Sequence, residues 1–143
     1  MSAHTSRRAV LAALVGGLVV LAPAARAQDP RATEAQQAAR AWLLVADKLD
    51  ADASYRAAGP KFRSVLTPER WRDAVRTVRT PLGAMVQRSG IKTEFATKLK
   101  DQPDGEYVLI TFRTAFEKKP VSRELVSVER VQGRWQVVGY VIQ

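Results

Sequence analysis

The chain has 143 residues, a formal net charge of +9, no cysteine and a single histidine, His4. These counts leave no cysteine nucleophile, disulfide framework or thiol-linked lipid anchor, and no Ser-His-Asp triad or His/Cys zinc site in the body of the chain. What remains is the length of one domain, enough to hide roughly 60–70% of its unfolded surface around a single core.

Residues 1–27 carry Arg7 and Arg8 near the start, an uncharged apolar run from Ala9 to Ala25, and the small-residue end Ala25-Arg26-Ala27. This is the pattern of a cleaved export signal. The apolar run is interrupted by Gly16, Gly17 and Pro23 and is shorter than the ~20 residues that a membrane-spanning helix needs. Ser6-Arg7-Arg8-Ala9-Val10-Leu11 is similar to a twin-arginine signal, with Val10 where Phe is usual, so the twin-arginine and general secretory routes both stay open. Cleavage is expected after Ala27, leaving Gln28–Gln143 as a single domain in the periplasm or outside the cell. Of the 23 basic residues, Arg7, Arg8 and Arg26 leave with the signal; 20 remain against 14 acidic ones, a net +6, and no histidine remains. Export makes nucleic acid an unexpected partner despite the basic balance, and no membrane span is expected after cleavage.

In the remaining chain, Ala32 to Leu49 has helical spacing, with Ala35, Ala38, Ala39, Trp42, Ala46 and Leu49 on one face and a Thr33/Gln36 capping box. A short second helix is expected from about Asp52 to the Ala58-Gly59-Pro60 break, followed by Phe62, Val65 and Leu66 as apolar cover. Thr67-Pro68 opens a third helix, with Thr as N-cap and Pro at the first position. Its apolar stripe is Trp71, Val75, Val78 and Leu82, and Pro81-Gly83 ends it. From Met85 the period changes to two. Strands are expected over Ile91–Leu99, Glu106–Phe116, Ser122–Val131 and Arg134–Ile142, the last two joined by a tight turn at Gln132-Gly133. Helices followed by an antiparallel meander define an α+β fold, with N-terminal helices packed on a curved sheet of about four strands. Gly139 before Tyr140 permits a bend in the last strand.

The charge surplus is concentrated: residues 28–55 carry −2, residues 56–92 carry +7 and residues 93–143 carry +1. Arg72, Arg76 and Arg79, at steps of four and three, form an expected ridge for phosphate or carboxylate groups, against a solvated face tempered by Glu69 and Asp73. Arg113 lies mid-strand among Tyr107, Leu109 and Thr111. On an inward face it must find a carboxylate, for which Glu124 is a candidate, or an anionic ligand. Arg113, Tyr107, Tyr140 and Trp42 are therefore the candidate ligand-binding residues. Asp101, Asp104 and Glu106, like Asp50 and Asp52, are explained by turn and cap chemistry, and no metal site or cofactor is expected. Ser89-Gly90-Ile91-Lys92 matches the S-x-x-K pattern without its companion motifs and carries no chemistry.

Trp42-Leu43 with Asp47 and Tyr55, Trp71 followed by Arg79-Thr80-Pro81-Leu82-Gly83, Pro103-Asp104-Gly105-Glu106-Tyr107 with Phe112 and Phe116, and Gly133-Arg134-Trp135 with Gly139-Tyr140 together resemble the bacterial domain-of-unknown-function family 4019. The resemblance runs from about residue 34 to 142 and implies no particular chemistry. This chain has Ser54-Tyr55 where the family usually carries Ser-Trp. In element order the chain is also similar to the nuclear-transport-factor-2-like and cystatin-like cone folds. The function expected is a non-catalytic binding or accessory module recognising an anionic or amphipathic envelope molecule, or a protein partner. Two alternatives stand beside it. One is an isomerase- or hydratase-type enzyme pairing Asp47 or Glu124 with Tyr107 or Tyr140, which needs a carboxylate free of arginine. The other is a structural subunit of an envelope assembly. The sequence assigns no oligomeric state.

Overall fold

The computed structural model describes residues 29–143; the expected export segment lies outside them. Four helices come first: α1 (Pro30–Ala46), α2 (Ala51–Ala57), α3 (Pro60–Val65) and α4 (Pro68–Ala74). The last of these runs on through a π turn (Val75–Arg79) and a 3-10 turn (Thr80–Leu82). Strands β1 (Met85–Ala96), β2 (Tyr107–Phe116), β3 (Lys119–Val131) and β4 (Arg134–Ile142) then form one antiparallel sheet in the order β1-β2-β3-β4. This is the α+β architecture that the change of period indicates, and the sheet is curved and unclosed.

Helix boundaries follow from cap chemistry. Asp29 accepts from the Arg31 amide and Pro30 occupies the first turn, so α1 starts ahead of the expected Thr33 capping box. It ends at Ala46, and Leu49, expected on the apolar face, instead takes a left-handed φ of 62° in the following turn. Asp50 caps α2 and Thr67 caps α4 through their side chains. The apolar cover after Gly59 is itself a helix, α3, because Pro60 sits at its first position. Phe62 is its buried residue, while Val65 faces solvent.

The inner face of the sheet carries Val108, Ile110, Phe112, Thr114 and Phe116 from β2, all buried, as period two requires. Against them pack Ala35, Ala39, Trp42 and Leu43 of α1, Phe62 and Trp71. The alanines let α1 approach the sheet closely. Both indoles resolve their polar atoms on one residue: Trp42 Nε1 donates to the Ser54 carbonyl and Trp71 Nε1 to the Ser54 hydroxyl, each at 2.9 Å. Tyr55 packs partly buried on this cluster and donates its hydroxyl to the Leu66 carbonyl at 2.7 Å. Register breaks at Gly90/Lys92 in β1 and opposite Val137–Gly139 in β4 bend the sheet over the helices. The first strand is longer than expected at its start, since β1 begins at Met85, six residues before Ile91.

Two glycines have different structural duties. The Gln132-Gly133 turn has φ of 51° and 76°, so both central positions are left-handed, as a two-residue hairpin between twisted strands demands. Gly59 has an ordinary φ but lies against β4: its amide donates to the Val137 carbonyl at 2.8 Å, and a Cβ there would sit 2.9 Å from Gln136 Cβ and 3.0 Å from that carbonyl. Gly133→Ala, with open space around it, is expected to cost about 1–2 kcal/mol from backbone strain alone. Gly59→Ala is expected to cost about 1–3 kcal/mol from overpacking and to loosen α3. Urea denaturation checks both, and hydrogen exchange at the Gly59 position against wild type separates the two causes.

Candidate functional site

The most concentrated chemistry lies where the end of α1, the π turn and the inner face of the sheet meet. Arg88 of β1 is in register with Thr114, and Glu124 of β3 with Phe112, so both side chains point to the helix side. Arg88 donates to Asp47, at the C-cap of α1, through NH1 at 2.8 Å and NH2 at 2.9 Å, and to Glu124 Oε1 through Nε at 2.7 Å. Glu124 is fully buried and also accepts from the hydroxyls of Thr114 and Tyr140. Arg79 completes the cluster: NH2 donates to Asp47 at 3.4 Å, NH1 to the Gly83 carbonyl at 2.6 Å, and its guanidinium carbon lies 4.5 Å from the centre of the Phe116 ring. Its Nε is buried and without a partner. Two guanidinium groups thus face two carboxylates, and the network is electroneutral.

Burial alone disfavours the Arg88 cation, yet the hydrogen bonds to Asp47 and Glu124 and the field of both carboxylates outweigh it and raise its pKa. Burial, reinforced by the charge and hydrogen bond of Glu124, pushes the Tyr140 phenol well above its ordinary 10.0. At neutral pH Tyr140 is therefore a fixed neutral donor.

Beside this network is a cavity of about 280 Å³ lined by Ala46, Trp71, Ala74 and Val75 on the helix side and by Tyr140 and Ile142 on β4, with Arg79 and Val78 at the π turn. For scale, a 150 Å³ apolar cavity accommodates benzene. The π turn is what shapes it. With i→i+5 bonding, residues after Ala74 lag behind the α-helical progression, and such turns are frequent at functional sites. Arg79 is thereby carried into the core and Val78, expected on the buried stripe, is half exposed.

The residues singled out from sequence consequently part company. Trp42 and Tyr140 are together, their ring centres 5.1 Å apart, with Tyr140 on the cavity wall and Trp42 in the core behind it. Tyr107 is buried elsewhere, donating to the Pro103 carbonyl at 2.6 Å and accepting from Lys61 at 2.9 Å, while Lys61 also pairs with Glu129. Arg113 does not meet Glu124: its partner across the strands is Arg123, on the exposed outer face, whereas Glu124 shares the face of Phe112. The expected Arg72/Arg76/Arg79 ridge is not formed, because Arg79 is inside. Arg72 and Arg76 remain exposed and pair with Asp52 and Asp73, each at 2.7 Å. The sequence pattern gives no sign of Arg88, the hub, because it starts the strand after it, at Ile91, whereas β1 begins at Met85. Of the acid–tyrosine pairs needed for proton-transfer chemistry, Glu124 and Tyr140 do meet, but Arg88 holds the carboxylate.

Fold and site together define an α+β protein whose helical layer is locked to a curved four-stranded sheet by a buried ion-pair network bordering an apolar cavity. The chain belongs to the family of proteins of unknown function DUF4019, whose family model matches residues 38–140. Comparison with curated proteins gives no match, and comparison with solved structures gives none, so the likeness to the nuclear-transport-factor-2-like and cystatin-like folds rests on element order. Among the described residues, no helix is long and apolar enough to cross a membrane.

Arg88→Met leaves buried Glu124 without its cation and Asp47 with Arg79 alone, and is expected to cost about 3–5 kcal/mol in urea denaturation, whereas Arg72→Met, at an exposed pair, is expected to leave the midpoint nearly unchanged. Tyr140 keeps its proton in the folded state above pH 10, where the unfolded chain loses it. Lys61, raised by its hydrogen bonds to Glu129 and Tyr107, behaves alike above 10.5. The unfolded state then binds fewer protons, so stability is intact below about pH 10 and declines above it. Tyr140→Phe is expected to make that alkaline decline shallower; an unchanged slope in pH-dependent denaturation would contradict the assignment.

Proposed function

We propose that this protein is an exported, non-catalytic binding module that seats the apolar part of a small amphipathic molecule of the cell envelope in the cavity between the π turn and β4. The observation that carries the reading is the composition of that cavity: walls of Ala, Val, Ile and Trp, with Arg79 and Tyr140 as the two polar residues. The head group would lie beside Arg79 and Tyr140, the polar part of the lining. Because the two guanidinium groups and two carboxylates beside the cavity already balance, a hydroxyl or carbonyl head is favoured over a third carboxylate. The periplasmic location is supported by the signal pattern of residues 1–27. The non-catalytic reading is supported by Arg88, which engages both carboxylates that an acid–base mechanism would need.

The test uses residues 28–143 with 1-octanol, octanoate and ethanol as probes in thermal-shift measurements. At tenfold excess over Kd the bound probe contributes about 1.4 kcal/mol, a rise of about 5 °C in Tm. Octanol is expected to give this rise, octanoate a smaller one and ethanol none. Ala74→Leu, which fills the cavity, is expected to abolish the octanol shift while the unliganded protein stays folded. No shift with either eight-carbon probe would overturn the reading.

A further inference from the structure

The outer face of the sheet, away from α1 and the cavity, carries a separate feature. Arg113 of β2 and Arg123 of β3 lie directly opposite each other there, both exposed. Arg123 exchanges backbone hydrogen bonds in both directions with Gln143, each at 2.8 Å. Its amide and carbonyl therefore point to β4, and the pair with Arg113 is of the non-hydrogen-bonded kind, in which opposed Cα atoms are about 4.5 Å apart and side chains are closest. Like charges placed in this way repel and weaken the sheet. Ser89 of β1 is in register with Arg113, as Gln143 is with Arg123, so the row across the sheet reads Ser89, Arg113, Arg123, Gln143, four side chains that can all donate.

Exposed Arg72 and Arg76 are matched by Asp52 and Asp73. Neither Arg113 nor Arg123 has an ion pair, a side-chain hydrogen bond or a ring contact among the described residues. The Gln143 main-chain oxygen is engaged by the Arg123 amide rather than by its guanidinium. Beside the pair, and reaching Arg123, is a depression of about 390 Å³ with Ile91, Leu109 and Leu125 in its walls; Glu94, its one acid, is held by Lys92 at 2.8 Å. The fork of one guanidinium fills a carboxylate, whereas a phosphate monoester offers three free oxygens and a charge of about −1.5 to −2, enough for two forks. A second copy seated on this row by a two-fold axis would bring the same two arginines and no acid. We propose that the Arg113–Arg123 pair holds a phosphate monoester whose apolar chain lies in the depression beside it, the ligand relieving the repulsion between the two strands.

The experiment titrates residues 28–143, as wild type and as Ala74→Leu, with octyl phosphate, octyl sulfate and inorganic phosphate, followed by calorimetry and amide NMR. Octyl phosphate is expected to bind both proteins with a Kd below about 1 mM and to shift the amides of Arg113 and Arg123, so that this site and the cavity fail separately. Octyl sulfate, with three free oxygens but a single charge, and inorganic phosphate, without the chain, are each expected to bind at least about tenfold more weakly. Arg113→Gln with Arg123→Gln, a surface change that leaves the fold intact, is expected to weaken octyl phosphate at least about tenfold. Arg113→Lys with Arg123→Lys, which keeps the charge and loses the forks, is expected to weaken it about threefold or more. Retention on vesicles of phosphatidic acid and phosphatidylcholine without binding of octyl phosphate would make a lipid surface the partner. That result, no octyl phosphate binding at about 1 mM, equal binding of octyl sulfate or by the double Gln variant, or loss of binding in Ala74→Leu, which would place the probe in the cavity, overturns the proposal.

Discussion

The contact on which the arrangement depends is the guanidinium of Arg88 held between Asp47 and Glu124. It joins the end of α1, the first strand and the third, and through Tyr140 and Arg79 it reaches the last strand and the π turn. Taking these groups out of water is costly, and an apolar replacement of the whole set would serve stability as well. Its consequence is selectivity among packings. Only one placement of α1 over the sheet brings Asp47 to Arg88 while Glu124 keeps its bonds to Thr114 and Tyr140; any shift strands a buried charge.

The π turn is the second constraint and follows from the first. A regular helix over Pro68–Leu82 would keep Arg79 on the solvent ridge with Arg72 and put Val78 inside. The inserted turn does the reverse, giving Asp47 its second cation and withdrawing Val78 from the core. Small residues on either side, Ala46 and Ala74, do not refill the space, and the cavity is what remains. The same local irregularity thus supplies the charge that completes the network and the opening beside it.

Much of this was legible in the sequence where local chemistry decides. Thr67-Pro68, the alternation of β2 and the turn at Gln132-Gly133 each have a short-range cause, and each was found at its place. The site was only half legible, because its members come from four elements and depend on strand register. The sequence points to a buried arginine for Glu124 but offers Arg113 in that role. Register alone separates them: Glu124 lies across from Phe112, so the arginine on its face is Arg88. Nothing in the run Trp71 to Leu82 announces a π turn, since the apolar and arginine spacings fit an α-helix; tertiary demand for Arg79 overrides the local pattern.

The charge distribution changes meaning once the partners are known. The surplus of +7 between residues 56 and 92 reads from sequence as a basic face. In the folded protein Arg72 pairs with Asp52, Arg79 with Asp47, Arg88 with both Asp47 and Glu124, and Lys61 with Glu129, every one of these acids lying outside the segment. The segment is basic because its acids were supplied by the first helices and the third strand, and two of its arginines are interior. Pairing leaves the net charge as it was, and cations outside these pairs, Arg113 and Arg123 on the outer face of the sheet among them, remain exposed for a partner. The exposed cations attract anionic partners at long range in a way that salt screens, whereas the interior pairs at Asp47 and Glu124 are spent on the fold.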